Sequence, residues 1–246
     1  MDILLLRFDA PLISFGAPIV DNRGEIQPYP ALSMLCGMLG NALGYDHSET
    51  NRLQRLQERL QYASRQDKAG ERIRDYQTVD LGQEFMSDSR AWTTRGKLEE
   101  RKGGSASSGT HIRLRDYWAD SIHTVALTLQ PADEAPTMDE VAEAIRKPER
   151  PLFIGRKTCL PATPILLEKT DTKTLRQALK HAPVPPETEV SPQPRAWWPS
   201  EAHSDDPNAL SQPVTDARDW ENQIHVGERW IASGQIKLIS KEKEDA

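Results

Sequence analysis

Apolar positions 3–8 form a short run broken only by Arg7, the pattern of a buried strand. A long connection follows over 11–30, punctuated by glycine and proline and carrying Arg23. Over 31–43 the leucines 32, 35, 39 and 43 recur at helical intervals. Gly37, Gly40 and Gly44 are interleaved with them, each costing a helix about 1 kcal/mol against alanine. Such a cost is tolerable where something approaches the backbone closely, or where Gly44 caps the helix. Asp46-His47-Ser48-Glu49 is a capping-box pattern that opens a second helix with Leu53, Leu56 and Leu60 on one face. Strands are expected at 61–66 and 72–79, joined by a turn at Lys68-Ala69-Gly70.

Residues 81–110 are polar and end in a glycine- and serine-rich tract that cannot pack, so they read as a projecting hairpin with a flexible tip. Val125, Leu127 and Leu129 alternate with smaller residues in a half-buried strand. A second capping box, Thr137 to Glu140, starts a helix that Pro148 ends. The spacing then predicts a strand at 165–167, a short helix at 172–180, a proline-rich tail with Trp197-Trp198, and strands at 229–233 and 235–239. This order is that of an α+β, ferredoxin-like (RRM-like) core with an inserted hairpin. The expected division is a domain over 1–182, including the insertion at about 81–112, and a β-rich extension over 183–246.

Of the 246 residues 37% are hydrophobic, and the longest apolar run falls far short of a bilayer span. The start of the chain leads straight into a strand rather than a signal segment, so a cytoplasmic location is expected. Cys36 and Cys159 have no partner at metal-ligand spacing and read as small buried hydrophobes in a reducing compartment. The net charge of −6 argues against polyanion binding until its distribution is considered. Residues 183–246 hold six basic and twelve acidic residues and so carry all of it, while the stretch 90–117 has seven basic against three acidic. Local field governs phosphate binding more than the total does.

The six histidines are scattered without metal spacing, and no nucleophile elbow, phosphate loop or dinucleotide fingerprint is present, so neither metal nor cofactor is expected. An acid–base pairing of His111 with Tyr117 in space stays open at this level. What remains is chemistry for gripping phosphate and stacking bases. In Phe153-Ile154-Gly155-Arg156-Lys157-Thr158 a bare backbone stands beside two cations and a hydroxyl, although an ordinary solvated turn would look the same. Arg72-Ile73-Arg74-Asp75-Tyr76 and Arg113-Leu114-Arg115-Asp116-Tyr117 echo each other. Arginines alternating with apolar residues and ending in tyrosine suit single-stranded nucleic acid, with Tyr76, Tyr117 or Trp92 as stacking surfaces, and solvated strand faces are the alternative.

Taken in order, Pro11 to Gly16, Tyr29 to Gly40, Arg74 to Val79, Arg115 to Asp120 and Phe153 to Cys159 resemble the CasD family of type I-E CRISPR Cascade subunits, within the RAMP superfamily. The resemblance covers about residues 1–170. It implies a modified ferredoxin-like domain that caps the 5′ handle of the CRISPR RNA, with no catalytic residues. It also implies a thumb hairpin that packs on the Cascade backbone subunits and meets target DNA only through the guide duplex. By motif, Ile154, Gly155, Arg156, Lys157 and Thr158 are then the handle-binding loop, and Ser33 at a helix start sits near handle phosphates. Arg90, Trp92 and Arg95 of the thumb join Arg23, Arg74, Tyr76, Arg113 and Arg115 as expected RNA contacts. The acidic tail departs from the family pattern, and contact with the large subunit is its expected use. A related branch, in type I-C systems, cuts precursor RNA without metal, which is the alternative activity. A metabolic or regulatory ferredoxin-like domain, binding a small ligand and no RNA, is the third reading.

Overall fold

Strand β1 (Asp2–Ile13), between β7 and the edge strand β8, is covered on both sides because its residues are apolar on both faces. Leu4, Leu6 and Phe8 point to one side of the sheet, Ile3 and Leu5 to the other, and all five are at most 1% exposed. The computed structural model describes residues 1–17, 23–80, 90–92, 98–100, 110–200 and 206–239. After β1 come β2 (Arg23–Gly24), α1 (Leu32–Ala42), α2 (Thr50–Arg59), β3 (Leu60–Lys68), β4 (Glu71–Asp80), β5 (Arg90–Trp92), β6 (Leu98–Glu100) and β7 (Thr110–Leu129). The chain continues through α3 (Met138–Arg146), β8 (Leu166–Asp171), α4 (Leu175–His181), β9 (Arg195–Ser200), β10 (Leu210–Val214), β11 (Ala217–Asp219), β12 (Ile224–Val226) and β13 (Arg229–Gln235).

Among the described residues these make a mixed α/β molecule with four helices and one large, mainly antiparallel sheet, ordered β10-β13-β9-β3-β7-β1-β8. Helices α1, α2 and α3 cover one face through Leu35, Leu39, Leu53, Leu56, Val141 and Ile145. The short helix α4 sits on the other face, against Ile3, Leu5, Ala63, Ala126 and Trp198. Ala63 and Ala126 lie opposite each other in the β3–β7 ladder, and their small side chains leave room for the helix. Beside them a fully buried Arg65 donates to the carbonyls of Leu179 (2.5 Å) and Ala182 (3.1 Å), so it caps the end of α4, and its charge is met by Asp67. A buried charge is tolerable only when paired and bonded in this way.

Strands β3 and β4 pair with successive halves of β7, β3 with 122–129 and β4 with 110–119. The break between the halves falls at Gly70 (φ +67°) and, across from it, Asp120 (φ +55°). Beyond the break, β4 and the first half of β7 form a ribbon of ten paired positions leading toward the 81–109 segment, with β1 and β2 on the other edge of β7 at its base. Within that segment β5 and β6 pair antiparallel, Arg90 opposite Glu100 and Trp92 opposite Leu98.

Several expectations are corrected. The proline-rich tail carries a strand that the spacing did not place, β9, which inserts between β3 and β13 with Trp197 fully buried. Positions 229–239 form one strand ending at Gln235, not two. The Asp46 motif closes a turn ahead of α2 rather than capping it. Asp46 Oδ1 accepts from the Ser48 amide at 3.0 Å and Glu49 Oε2 accepts from the Asp46 amide at 2.7 Å, while α2 begins after Glu49 without a side-chain cap. The Thr137–Glu140 capping box on α3 is formed in full.

Candidate nucleic-acid interface

The exposed side of α1 carries Ser33, Gly37 and Asn41, spaced four apart and therefore aligned on one stripe. Facing this stripe are the end of β1, the 153–156 loop and the β11–β12 hairpin, and together they line a groove of about 420 Å³. Among the described residues the charged side chains in its lining are Arg156 and Arg218, with His47 and His225 beside them and no Asp or Glu. The hairpin is held in place by Gln57 of α2. That amide donates to the Arg218 carbonyl (2.9 Å) and accepts from its N–H (3.0 Å). The same oxygen accepts from the Trp220 indole at 3.3 Å.

Helix α1 has no cap of its own. Asp216, just before the hairpin, accepts from the Leu32 amide on its carboxylate and from the Ser33 amide on its carbonyl, each at 3.0 Å. The expectation that the helix start offers bare amides to phosphate is corrected to this extent. A residue 184 positions away already occupies two of them, because helix N-termini attract carboxylates. Arg229 anchors Asp216 with two 2.7 Å bonds and donates to the Tyr62 hydroxyl at 2.7 Å.

The loop expected to grip phosphate is built mostly for the protein's own contacts. Ile154 is fully buried; its amide donates to the Cys159 carbonyl (2.8 Å) and its carbonyl accepts from the Ser14 amide (3.1 Å). It is a core residue, so its side chain is no ligand contact. Gly155 has φ +95°, and a Cβ there would stand 1.8 Å from the Ser14 carbonyl oxygen. The backbone just after β1 therefore already requires glycine here. The Arg156 fork donates to the carbonyls of Asp116 (2.8 Å) and Gly24 (3.1 Å) and stacks 4.8 Å from the Tyr117 ring centre. Within 153–158 the exposed residues are Lys157 and Thr158, at the tip.

Arg156 thereby rivets the loop to the base of the ribbon, where β2 lies parallel to β7 with Arg23 beside Leu114 and Gly24 beside Arg115. The echoed motifs are partners. Their antiparallel register places Arg74 opposite Asp116 and Asp75 opposite Arg115. Arg74 and Arg72 both bond the Asp116 carboxylate, and Arg74 above all holds it down at about 2. Part of the cationic face is thus neutralised within the protein. Arg23 is exposed, Tyr76 is 60% exposed, and Arg113 and Arg115 are half-buried along the ribbon. Arg95 lies outside the described residues. His111 and Tyr117 sit six positions apart on one strand, about 20 Å of backbone at strand rise.

Arg218, Trp220, His225, Asn41 and His47 were not singled out from sequence. The signal available was the Arg-x-Trp spacing at 218–220 inside an acidic segment, and nothing in the sequence tied it to α1. His123 is buried in the core against Phe15, its ring 4.9 Å away edge-on, and burial pushes it down to about 3. Both cysteines are free and buried. Among the described residues no group of ligand side chains could hold a metal ion, and no helix is long and apolar enough to cross a membrane.

Comparison with known proteins places this geometry. The family model described as CRISPR-associated protein (Cas_Cas5) matches residues 3–232. The chain is 30% identical over 176 residues to the CRISPR system Cascade subunit CasD of Escherichia coli strain K12, covering 72% of this chain and 75% of that one. Its fold matches a chain of a solved "CRISPR RNA-guided surveillance complex" with TM-score 0.68 at 22% identity, over 96% of this chain and 90% of the other. A second structure, "Crystal structure of Cas protein", matches with TM-score 0.63 at 21% identity over 96% and 95%.

Proposed function

The chain belongs to the Cas5 family of CRISPR-associated proteins, and from that premise we propose that it is a non-catalytic, RNA-binding subunit of a type I-E Cascade complex that caps the 5′ handle of the guide RNA. The observation that carries this reading is the groove. Among the described residues it is walled by Arg156 and Arg218 without a carboxylate in its lining, and Arg156 joins it to a ribbon rich in arginine. A polyanion threaded there finds cations along its path, and stacking surfaces beside them.

The ferredoxin-like reading is supported by the central strand order β8-β1-β7-β3, which splits a β-helix-β unit around an inserted strand. The ribbon is the stem of the proposed thumb. Exposed Ile73 and Tyr76 on it offer apolar surface to a neighbouring backbone subunit, and through that contact the thumb meets the guide–target duplex. The acidic 183–246 segment is assigned to the large subunit by its charge. The cytoplasm is the compartment in which this assembly works, with neither cofactor nor metal required.

Arg23 and Lys157 are exposed and bear on no core contact, so Arg23→Ala combined with Lys157→Ala tests the path without unfolding it. RNA binding by the assembled complex is expected to weaken, and the slope of log K against log salt to fall by about 2. An unchanged slope removes the loop and β2 from the path.

A second reading is a metal-independent endoribonuclease, favoured by one observation, the placing of His47 and His225 in the same groove. Purified chain incubated with repeat RNA in EDTA separates the two. Intact RNA is the result expected here, and site-specific cleavage lost in His47→Ala or His225→Ala is the result that favours the enzyme.

A further inference from the structure

The outer edge of the large sheet carries a notch. Strand β10 begins only at Leu210, opposite Ser233, whereas β13 and the residues after it run on to Ile239. Along that stretch Ile236 and Leu238 donate to the carbonyls of Pro194 and Pro192, each at 3.1 Å, so one side is paired. Strand alternation turns the amides and carbonyls of Gln235 and Lys237 to the other side. There they take no backbone partner among the described residues. The reason lies at Gly234, where a Cβ would stand 2.9 Å from the Trp198 ring and 3.5 Å from the Asn208 carbonyl oxygen. The segment ahead of β10 crosses the sheet over this glycine toward α4, where Arg176 bonds Asp206 at 2.7 Å. It thereby leaves the edge beside 235–238 bare.

Beside this edge lies a cavity of about 680 Å³. Its lining offers three amide side chains (Gln193, Asn208 and Gln235), the apolar Leu210 and one cation, Arg195, with no carboxylate among the described residues. Leu210 is 67% exposed, more than any other large apolar side chain among the described residues, so it is surface that a partner would cover. Arg195 stacks 5.0 Å from the Trp197 ring centre, which fixes its direction. Among the described residues neither Arg195 nor the exposed Lys237 has an ion-pair partner. A lysine on a bare edge discourages pairing with a copy of the same edge. Together with Arg195 it favours a strand that brings carboxylates.

We propose that this notch is a docking edge for an extended acidic segment of a protein partner, added as a short strand in line with β10. The partner's backbone pairs with Gln235 and Lys237, its carboxylates meet Arg195 and Lys237, and an apolar side chain at its end covers Leu210. Amides and carbonyls presented at every second residue match another peptide strand, and a nucleic acid has no such repeat to meet them. The residues of this cavity and those of the groove on α1 are separate sets, so the docking edge stands apart from the RNA-binding reading.

Peptide titration tests it. The purified full-length chain is mixed with a fluorescent heptapeptide alternating valine and glutamate, and binding is followed by anisotropy. Saturable binding is expected, with a valine–lysine peptide about tenfold weaker. Lys237→Pro deletes an outward donor and no ladder bond, so it is expected to keep the wild-type melting temperature and to weaken the peptide about tenfold. Arg195→Glu is expected to weaken it equally through charge, should Lys237→Pro prove poorly folded. N-methylation of the peptide's amides is expected to abolish binding, which separates strand pairing from charge attraction alone. Equal binding of the lysine peptide, or full binding by folded Lys237→Pro or Arg195→Glu protein, overturns the docking edge. Absence of saturable peptide binding overturns it too, and a single-stranded oligonucleotide held through Arg195 instead assigns the edge to nucleic acid.

Discussion

The Arg156 guanidinium occupies the space that a side chain at Gly24 would need. Its Nη2 donates to the Gly24 carbonyl at 3.1 Å and would lie 2.4 Å from a Cβ placed there. One glycine on β2 thus admits the arginine that binds the loop, β2 and β7 together. Gly24→Ala is expected to displace the fork and to lower stability by about 1–3 kcal/mol, the scale of a lost charged hydrogen bond. Arg156→Lys is expected to match it, because an ammonium cannot reach both carbonyls and stack on Tyr117. Denaturant unfolding of the two variants checks this; wild-type midpoints would show that the rivet is slack.

Gly155→Ala acts on the same loop from the other side. The Ser14 carbonyl and φ +95° both oppose a side chain, so the loop must shift or the strain be carried. A loss of about 1–3 kcal/mol is expected, the usual cost of such backbone strain. A wild-type unfolding midpoint for this variant contradicts the packing described.

These two glycines show how far sequence reading reaches. Local signals survived intact: the Thr137–Glu140 box, the helical leucine stripe of α1, and the turn at Gly70 were legible because neighbours in sequence settle them. The echo of Arg-x-Arg-Asp-Tyr was legible as a basic pattern, but not as a register in which Arg74 faces Asp116 and much of the charge is spent internally. At Gly155 the sequence showed a place for close backbone approach but not that the Ser14 backbone, far away in sequence, is among the segments that approach it. The C-terminal hairpin was invisible as part of the site, because Gln57 and Asp216 fix it to α2 and α1 across more than 150 positions.

Asp216 is expected to be the most sensitive of these long-range contacts. It caps α1 and is 4% exposed beside Arg229. Asp216→Ala removes a cap and strands a partly buried guanidinium, for which about 3–5 kcal/mol is expected. The same variant is expected to lose the groove wall, since the hairpin follows directly. Thermal unfolding and RNA retention, measured together, check both parts; loss of neither would separate Asp216 from the site.

Acid is expected to destabilise the fold in two steps. His123, held down at about 3 by burial, is neutral when folded and protonates more readily unfolded. Its contribution is therefore present above about pH 6.5 and is lost as pH falls toward 3. Asp116, held at about 2, adds a loss below about pH 3.8. His123→Phe, if folded, is expected to flatten the upper step in unfolding measured from pH 7 to 4, and an unchanged pH profile would remove His123 as its source.

The claim that the chain grips guide RNA is tested most directly by sequencing the RNA that co-purifies with the tagged wild-type chain and with Lys157→Glu, a reversal at the exposed loop tip. Repeat-derived RNA sharing one common 5′ segment is expected with wild type, in much reduced yield with Lys157→Glu. RNA-free protein, or host RNA in proportion to its abundance and indifferent to the reversal, contradicts the account.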